Sequence, residues 1–168
     1  MNDELALTQL GLDELLINDS PAVTDYEIVV DPNTKEPKLA LKGSAGGIAG
    51  AVITVGVQGT ATITCAIQLN DAAGAAMAII GQVPFWLTSD AAGLTLEGTG
   101  PDSIASGTDG FIVVNGEDSV ISGIAVSEAD GDIDIALTKT TVDTMYLNIG
   151  LPNGKIVTSG AITFTSTT

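Results

Sequence analysis

Thr60-Ala-Thr-Ile-Thr-Cys-Ala-Ile-Gln-Leu69 alternates with a period of two: Ile63, Cys65 and Ile67 fall on one side, Thr62, Thr64 and Gln68 on the other. Successive side chains of a strand point to opposite faces, so this stretch predicts a β-strand with one buried and one solvated face. The same pattern returns downstream. In Ile133-Asp-Ile-Ala-Leu-Thr138 the apolar set is Ile133, Ile135 and Leu137, and in Thr144–Ile149 it is Met145, Leu147 and Ile149. Val83, Phe85 and Leu87 alternate as well, with Trp86 between them.

Turn signals separate these runs. Asn70-Asp-Ala-Ala-Gly74, Ser89-Asp-Ala-Ala-Gly93, Gly98-Thr-Gly-Pro-Asp-Ser103, Thr108-Asp-Gly110 and Asp130-Gly-Asp132 all carry residues that tolerate turn geometry. Pro152-Asn-Gly154 is a hairpin signal, since Asn-Gly accepts the positive φ of a tight turn. Leu94-Thr-Leu96, Phe111-Ile-Val-Val114, an apolar stretch within Asp118–Val126, Ile156–Val157 and Ala161–Phe164 complete a set of short strands. Seven or eight short strands with regular turns are the signature of an all-β, antiparallel β-sandwich.

Composition agrees. Of 168 residues, 45% are hydrophobic but only 4% aromatic, so the core is built from Ile, Val, Leu and Ala, with Trp86 and the few Phe and Tyr as larger fillers. The length allows one domain and an appendage. Twenty-one acids face five bases, for a net charge of −16. The bases are all Lys: Lys35, Lys38, Lys42, Lys139 and Lys155. Binding nucleic acid requires cations to replace phosphate counterions, and anionic membranes pose the same demand, so both partners are disfavoured. His is absent, which removes the usual general base near neutral pH and the commonest metal ligand. The single Cys65 sits on the apolar side of its strand and reads as a small core residue. The acidic start, Met1-Asn-Asp-Glu-Leu5, is unlike a secretory signal, and no apolar run reaches the roughly 18 residues of a membrane span. Synthesis in a cytoplasm is therefore expected.

Residues 1–57 read as an arm preceding a domain at 58–168. Residues 1–31 hold eight acids and no base. Leu5, Leu7, Leu10, Leu12, Leu15 and Leu16 form a leucine-rich stretch, of which Leu5, Leu12, Leu15 and Leu16 share one face of a short helix. So short a helix needs something to lie against, either its own domain or another chain. Tyr26-Glu-Ile-Val-Val30, turn-rich Asp31–Pro37 and Lys38-Leu-Ala-Leu-Lys42 read as a hairpin or an extended arm. Gly43–Gly47 reads as a joint, and Ala49–Gly59 as either a first strand of the domain or a threaded linker.

From about Thr60 to Phe164 the succession of strand edges and turns, Gln68-Leu-Asn-Asp-Ala-Ala-Gly74, Phe85-Trp-Leu-Thr-Ser-Asp-Ala-Ala-Gly93, Ser127–Ile135, Met145–Gly154 and Ser159–Phe164, resembles a β-sandwich domain of small virion structural proteins of tailed bacteriophages, the capsid decoration and head-fibre type. The resemblance covers about two thirds of the chain and includes no chemical motif. It implies an immunoglobulin-like antiparallel β-sandwich in a non-enzymatic virion protein on the outer capsid surface, bound to the major capsid protein, with the N-terminal arm as anchor. Such a protein is a homo-oligomer or a monomer at a capsid symmetry axis. A trimer would suit the close packing that Gly46–Gly59 allows. The rival readings are a tail-tube, neck or tail-tip component, and a receptor- or glycan-binding adhesion module.

Few residues invite chemistry. Glu128-Ala-Asp-Gly-Asp-Ile-Asp134 clusters carboxylates of the type that hold Ca²⁺, with Asp130, Asp132 and Asp134 as ligands. The spacing departs from the EF-hand order, and Asp132 and Asp134 are equally outward residues of a strand flanking a turn. Neither a nucleophile elbow nor a phosphate loop is present, and no cofactor is expected. Trp86 reads as core in preference to a sugar-stacking platform.

Overall fold

The computed structural model describes residues 26–30, 37–41, 47–114 and 120–166. Every regular element among them is a β-strand, and every pairing is antiparallel. The helix expected across Leu5–Leu16 lies outside the described residues.

The chain divides into two compact units, Met1–Ala45 and Gly46–Thr168. In the first, β1 (Tyr26–Val30) pairs with β2 (Pro37–Leu41) from Tyr26↔Leu41 to Val30↔Pro37, the expected hairpin. In the second, β3 (Gly50–Val55) pairs along its whole length with β4 (Thr62–Asn70). Ala49–Gly59 is therefore a first strand, not a linker. The division between units falls at 45/46 instead of 57/58, because β3 gives backbone hydrogen bonds and half-buried Ile53 and Val55 to the larger unit.

The remaining strands of this unit are β5 (Gln82–Thr88), β6 (Ser103–Ser106), β7 (Phe111–Val114), β8 (Ser122–Val126), β9 (Asp132–Thr138), β10 (Asp143–Gly150), β11 (Ile156–Thr158) and β12 (Ile162–Phe164). One sheet has the order β3-β4-β9-β6. The other has the order β11-β10-β5-β8-β7, with β12 also on β10. β11 and β12 follow one another along β10, interrupted at Ser159. There the Ser159 amide donates to Leu147 O (2.8 Å) and the Leu147 amide donates to Ser159 Oγ (2.9 Å), so a hydroxyl stands in for a ladder carbonyl. The hairpin signal at Pro152-Asn-Gly154 is the β10–β11 turn, with Gly154 at φ +82°.

Both sheets feed one core. Ile63, Cys65, Ile67 and Leu69 of β4 and Ile133, Ile135 and Leu137 of β9 belong to the same buried cluster as Val83, Phe85 and Leu87 of β5, Met145, Leu147 and Ile149 of β10, and Ile162 and Phe164 of β12. Each fully buried side chain of this size contributes about 1.5–3 kcal/mol. The alternating residues read as inward in β4, β5, β9 and β10 are the buried ones. Gly123 of β8 shows how closely neighbouring strands of the second sheet lie. A Cβ there would run into the Val113 carbonyl oxygen and lie 2.7 Å from the Phe85 ring.

Three local readings change. Trp86 is not in the core: it lies on the outer side of β5, half-buried, and Phe85 and Phe164 are the large fillers. Leu94–Leu96 forms a single bridge, Thr88↔Leu96, and no strand. The Asp90 carboxylate takes the local amides instead, accepting from Ala92 (2.9 Å), Leu94 (3.3 Å) and Thr95 (2.6 Å). And the loop expected at Gly98–Ser103 runs straight into β6, an edge strand on β9 that carries no signal in the sequence.

Candidate functional site

The outer face of the β3-β4-β9-β6 sheet gathers the carboxylates singled out in the sequence. Asp132 and Asp134, two apart on β9, share this face because the inward positions between and beyond them are Ile133 and Ile135. Register sets Gln68 beside Asp132 and Ala66 beside Asp134, with Val52 and Thr54 of β3 one strand further. Asp130 sits in the preceding turn. Its Oδ1 accepts from the Asp132 amide (3.4 Å) and its carbonyl accepts from Gln68 Nε2 (3.2 Å). Gly131 turns the chain at φ +87°, and a Cβ at this position would strike the Met77 carbonyl oxygen.

A further acid reaches the face from a distance. The loop between β6 and β7 is stitched to β9: the Gly107 amide donates to Asp134 O (2.9 Å), the Thr108 amide to Asp134 Oδ2 (3.2 Å) and the Asp134 amide to Asp109 O (2.8 Å). Gly107 is required for that approach, since a Cβ would lie 2.5 Å from the Asp134 Cβ. Asp109 thereby joins Asp132 and Asp134 around a shallow groove of about 130 Å³, lined also by Val52, Thr54, Ala66 and Gln68. In the sequence Asp109 carries only a turn signal. Its neighbours come from a pairing 25 residues away (Asp109 to Asp134), which periodicity does not reveal.

Proximity has an electrostatic cost. Asp109 is held above the usual carboxylate value, first by partial desolvation and then by the charges of Asp134, Glu128, Asp132 and Asp130. Asp132 is raised by desolvation and by Asp130, Asp134 and Glu128. Such a face repels anions and attracts cations and basic protein surfaces. Among the described residues no group of three or more His, Cys, Asp or Glu side chains is placed to hold a metal ion, so Asp130, Asp132 and Asp134 share a face without converging on one point.

Other reactive side chains serve the fold. Cys65 is fully buried, and burial, with a contribution from the Asp134 charge, pushes its thiol up to about 12. Lys139 is buried too. Its Nζ donates to the Gly100 carbonyl and pairs with Asp143 Oδ2 at 3.0 Å, pinning the 98–102 loop to the β9–β10 turn. Asp102 adds two bonds to Thr140, through the amide and the hydroxyl, both 2.8 Å, and these hold its carboxyl below the ordinary value. Leu5, Leu7, Leu10, Leu12, Leu15 and Leu16 lie outside the described residues.

No protein-family model matches the chain, and no curated protein matches it either.

Proposed function

We propose that this chain is a non-enzymatic structural protein of a tailed-bacteriophage virion, of the capsid decoration or head-fibre type. Its N-terminal segment would bind the major capsid protein lattice, and its larger unit would be an immunoglobulin-like β-sandwich displayed outward. The observation that carries this reading is the division of the chain. The unit from Gly46 onward closes a core with its own two sheets, and the acidic, leucine-rich segment belongs to a separate unit before it. A leucine face of this kind gains its stability from what it docks on.

Strand order supports the finer fold assignment. Lettering β3, β4, β5, β6, β9, β10 and β11/β12 as A to G turns the first sheet into A-B-E-D and the second into G-F-C. That is the arrangement of immunoglobulin constant-type domains. The β7–β8 hairpin extends the second sheet beyond C, where variable-type domains instead insert strands directly after C.

The test is co-sedimentation with capsids that lack this protein. Three samples suffice: the full chain, the full chain with Leu12→Glu and Leu15→Glu, and a version starting at Gly46. Saturable binding by the first alone is the expected result. Equal binding by all three would reject the anchor, and binding by none at low or moderate salt would reject decoration.

A second reading, a glycan-binding adhesion module, is favoured by one observation, the half-exposed indole of Trp86 on an outer sheet face. Binding of the purified chain to polysaccharide or cells without any capsid would select it.

A further inference from the structure

Asn153 and Gly154, at the tip of the β10–β11 turn, are both exposed. The Asn153 side chain is nevertheless held at both ends. Its Nδ2 donates to the Ala49 carbonyl (2.9 Å) and its Oδ1 accepts from the Lys155 amide (3.0 Å). The first of these bonds joins the turn of the second sheet to the chain entering the first. Ala49 immediately precedes β3, and its own amide donates to Asn70 O (3.0 Å) at the end of β4. Ile48, one residue earlier, belongs to the core. Asn153 is therefore part of a clasp on the first residues of the larger unit. Gly154 adds its own features. A Cβ here would meet nothing within 4 Å, and its amide donates to Leu151 O (2.9 Å).

We infer that Asn153 is a site of spontaneous deamidation, and that the change unclasps Ala49 from the β10–β11 turn. The reaction needs only water and base. The Gly154 amide nitrogen gives up its proton to base and bonds to Asn153 Cγ. The Cγ–Nδ2 bond breaks, ammonia leaves, and a five-membered succinimide closes. Water then opens the ring at either carbonyl, leaving Asp or its β-linked isomer. Three features favour this chemistry at 153. Gly154 presents no side chain against the closing ring. Exposure admits water and base. The Lys155 amide already donates to Oδ1, where negative charge develops as the nitrogen adds, as a donor in an oxyanion hole does. The pace is set by the opening of two hydrogen bonds, which occupy the attacking nitrogen and the leaving one. The product cannot restore the clasp. A carboxylate has no proton to donate to Ala49 O, so two oxygens would face one another there. The β-linked isomer also adds a methylene to the turn backbone. Asn148 is the contrast: fully buried, bonded through both side-chain atoms and followed by Ile149, it keeps its amide. This inference stands independently of the capsid reading.

Ageing the full chain in mildly alkaline buffer at body temperature tests it. Peptide mapping separates Asn153 from the other Asn-Gly of the chain, Asn115-Gly116, which lies outside the described residues. The expected result is Asp and its β-linked isomer at 153, accumulating faster as pH rises, with Asn148 unchanged. In urea, where both bonds are open, conversion should run roughly 10- to 100-fold faster. Hydrogen exchange reads the consequence. The Ala49 amide should exchange at least about tenfold faster in the aged chain and in Asn153→Asp than in the fresh chain, with the amides of β9 unchanged. Asn153→Gln, whose longer side chain closes a ring less readily, should resist ageing at this position. An intact Asn153 in the folded chain once the urea sample has converted would overturn the site. Conversion that leaves Ala49 exchange as it was would overturn the clasp. Both readings come from the unsubstituted chain, so a variant that misfolds decides neither.

Discussion

The two outer faces of the larger unit are built by the same rule and end in opposite surfaces. On β4 and β9 the residues between the core positions are Thr, Gln, Asp and two Ala, and the face they form is wet and negative. On β5, β7 and β8 the residues between the core positions are Pro84, Trp86, Phe111, Val113 and Ile124, and their face is apolar. One core serves both sheets, so the difference owes nothing to stability of the interior. It teaches that alternation identifies a strand, whereas only contrast between the two alternating sets identifies its inner side.

The sharpest way to break the comparison is on β5 itself, where neighbours point to opposite sides. Phe85→Ala should cost roughly 3–5 kcal/mol in denaturant unfolding, because it empties a fully buried site between the sheets. Trp86→Ala, with the larger side chain removed, should cost only about 1 kcal/mol. A reversal of the two values would turn the sheet inside out.

A smaller effect is expected from glycines. Gly123→Ala should destabilise by about 1–3 kcal/mol through its clash with the Val113 carbonyl and the Phe85 ring. Gly98→Ala, with no atom within 4 Å of the added carbon, should change stability by about 0.5 kcal/mol or less. Equal effects at the two sites would contradict the close approach of β8 to β5.

The smallest effect is electrostatic and has a defined sign. Asp109 and Asp132 titrate above their unfolded value of 3.8. The folded state therefore holds more protons in that window, and stability falls as pH rises through it. Asp90 and Asp102 titrate below 3.8, so their contribution is present above that value and is lost as pH falls through their lower folded values. Asp132→Asn should raise the melting temperature slightly at pH 7, with the gain vanishing in acid. Asp102→Asn should lower it at pH 7, with the loss shrinking in acid. Melting curves across pH 3–7 check both, and opposite signs would refute the charge map of the acidic face.

How far the sequence could be read follows from the same contrast. The strands with a polar outer set, β4 and β9, were legible to their inward residues, and β10 with them. The turn chemistry of Asn-Gly was legible at β10–β11. β5 was legible as a strand, but its two apolar sets left Trp86 assigned to the wrong side. β6, Ser-Ile-Ala-Ser, escaped because a single large apolar residue among three small ones sets no period. β3 stood between strand and linker because Gly50 opens it and Gly56 follows it, weakening the local signal. The acidic turn at Asp130–Asp134 was visible, but Asp109 was not, since a backbone pairing between distant segments brings it there. Neither was the apolar outer face, which exists only once register aligns five strands.

The most direct test of which side of β5 is inside uses the only tryptophan of the chain. Acrylamide quenching of Trp86 in the full-length protein reports exposure without any substitution. The structure predicts red-shifted emission that acrylamide quenches readily. Blue-shifted emission protected from acrylamide at every concentration would put Trp86 in the core, and would contradict the assignment of the apolar face as a surface.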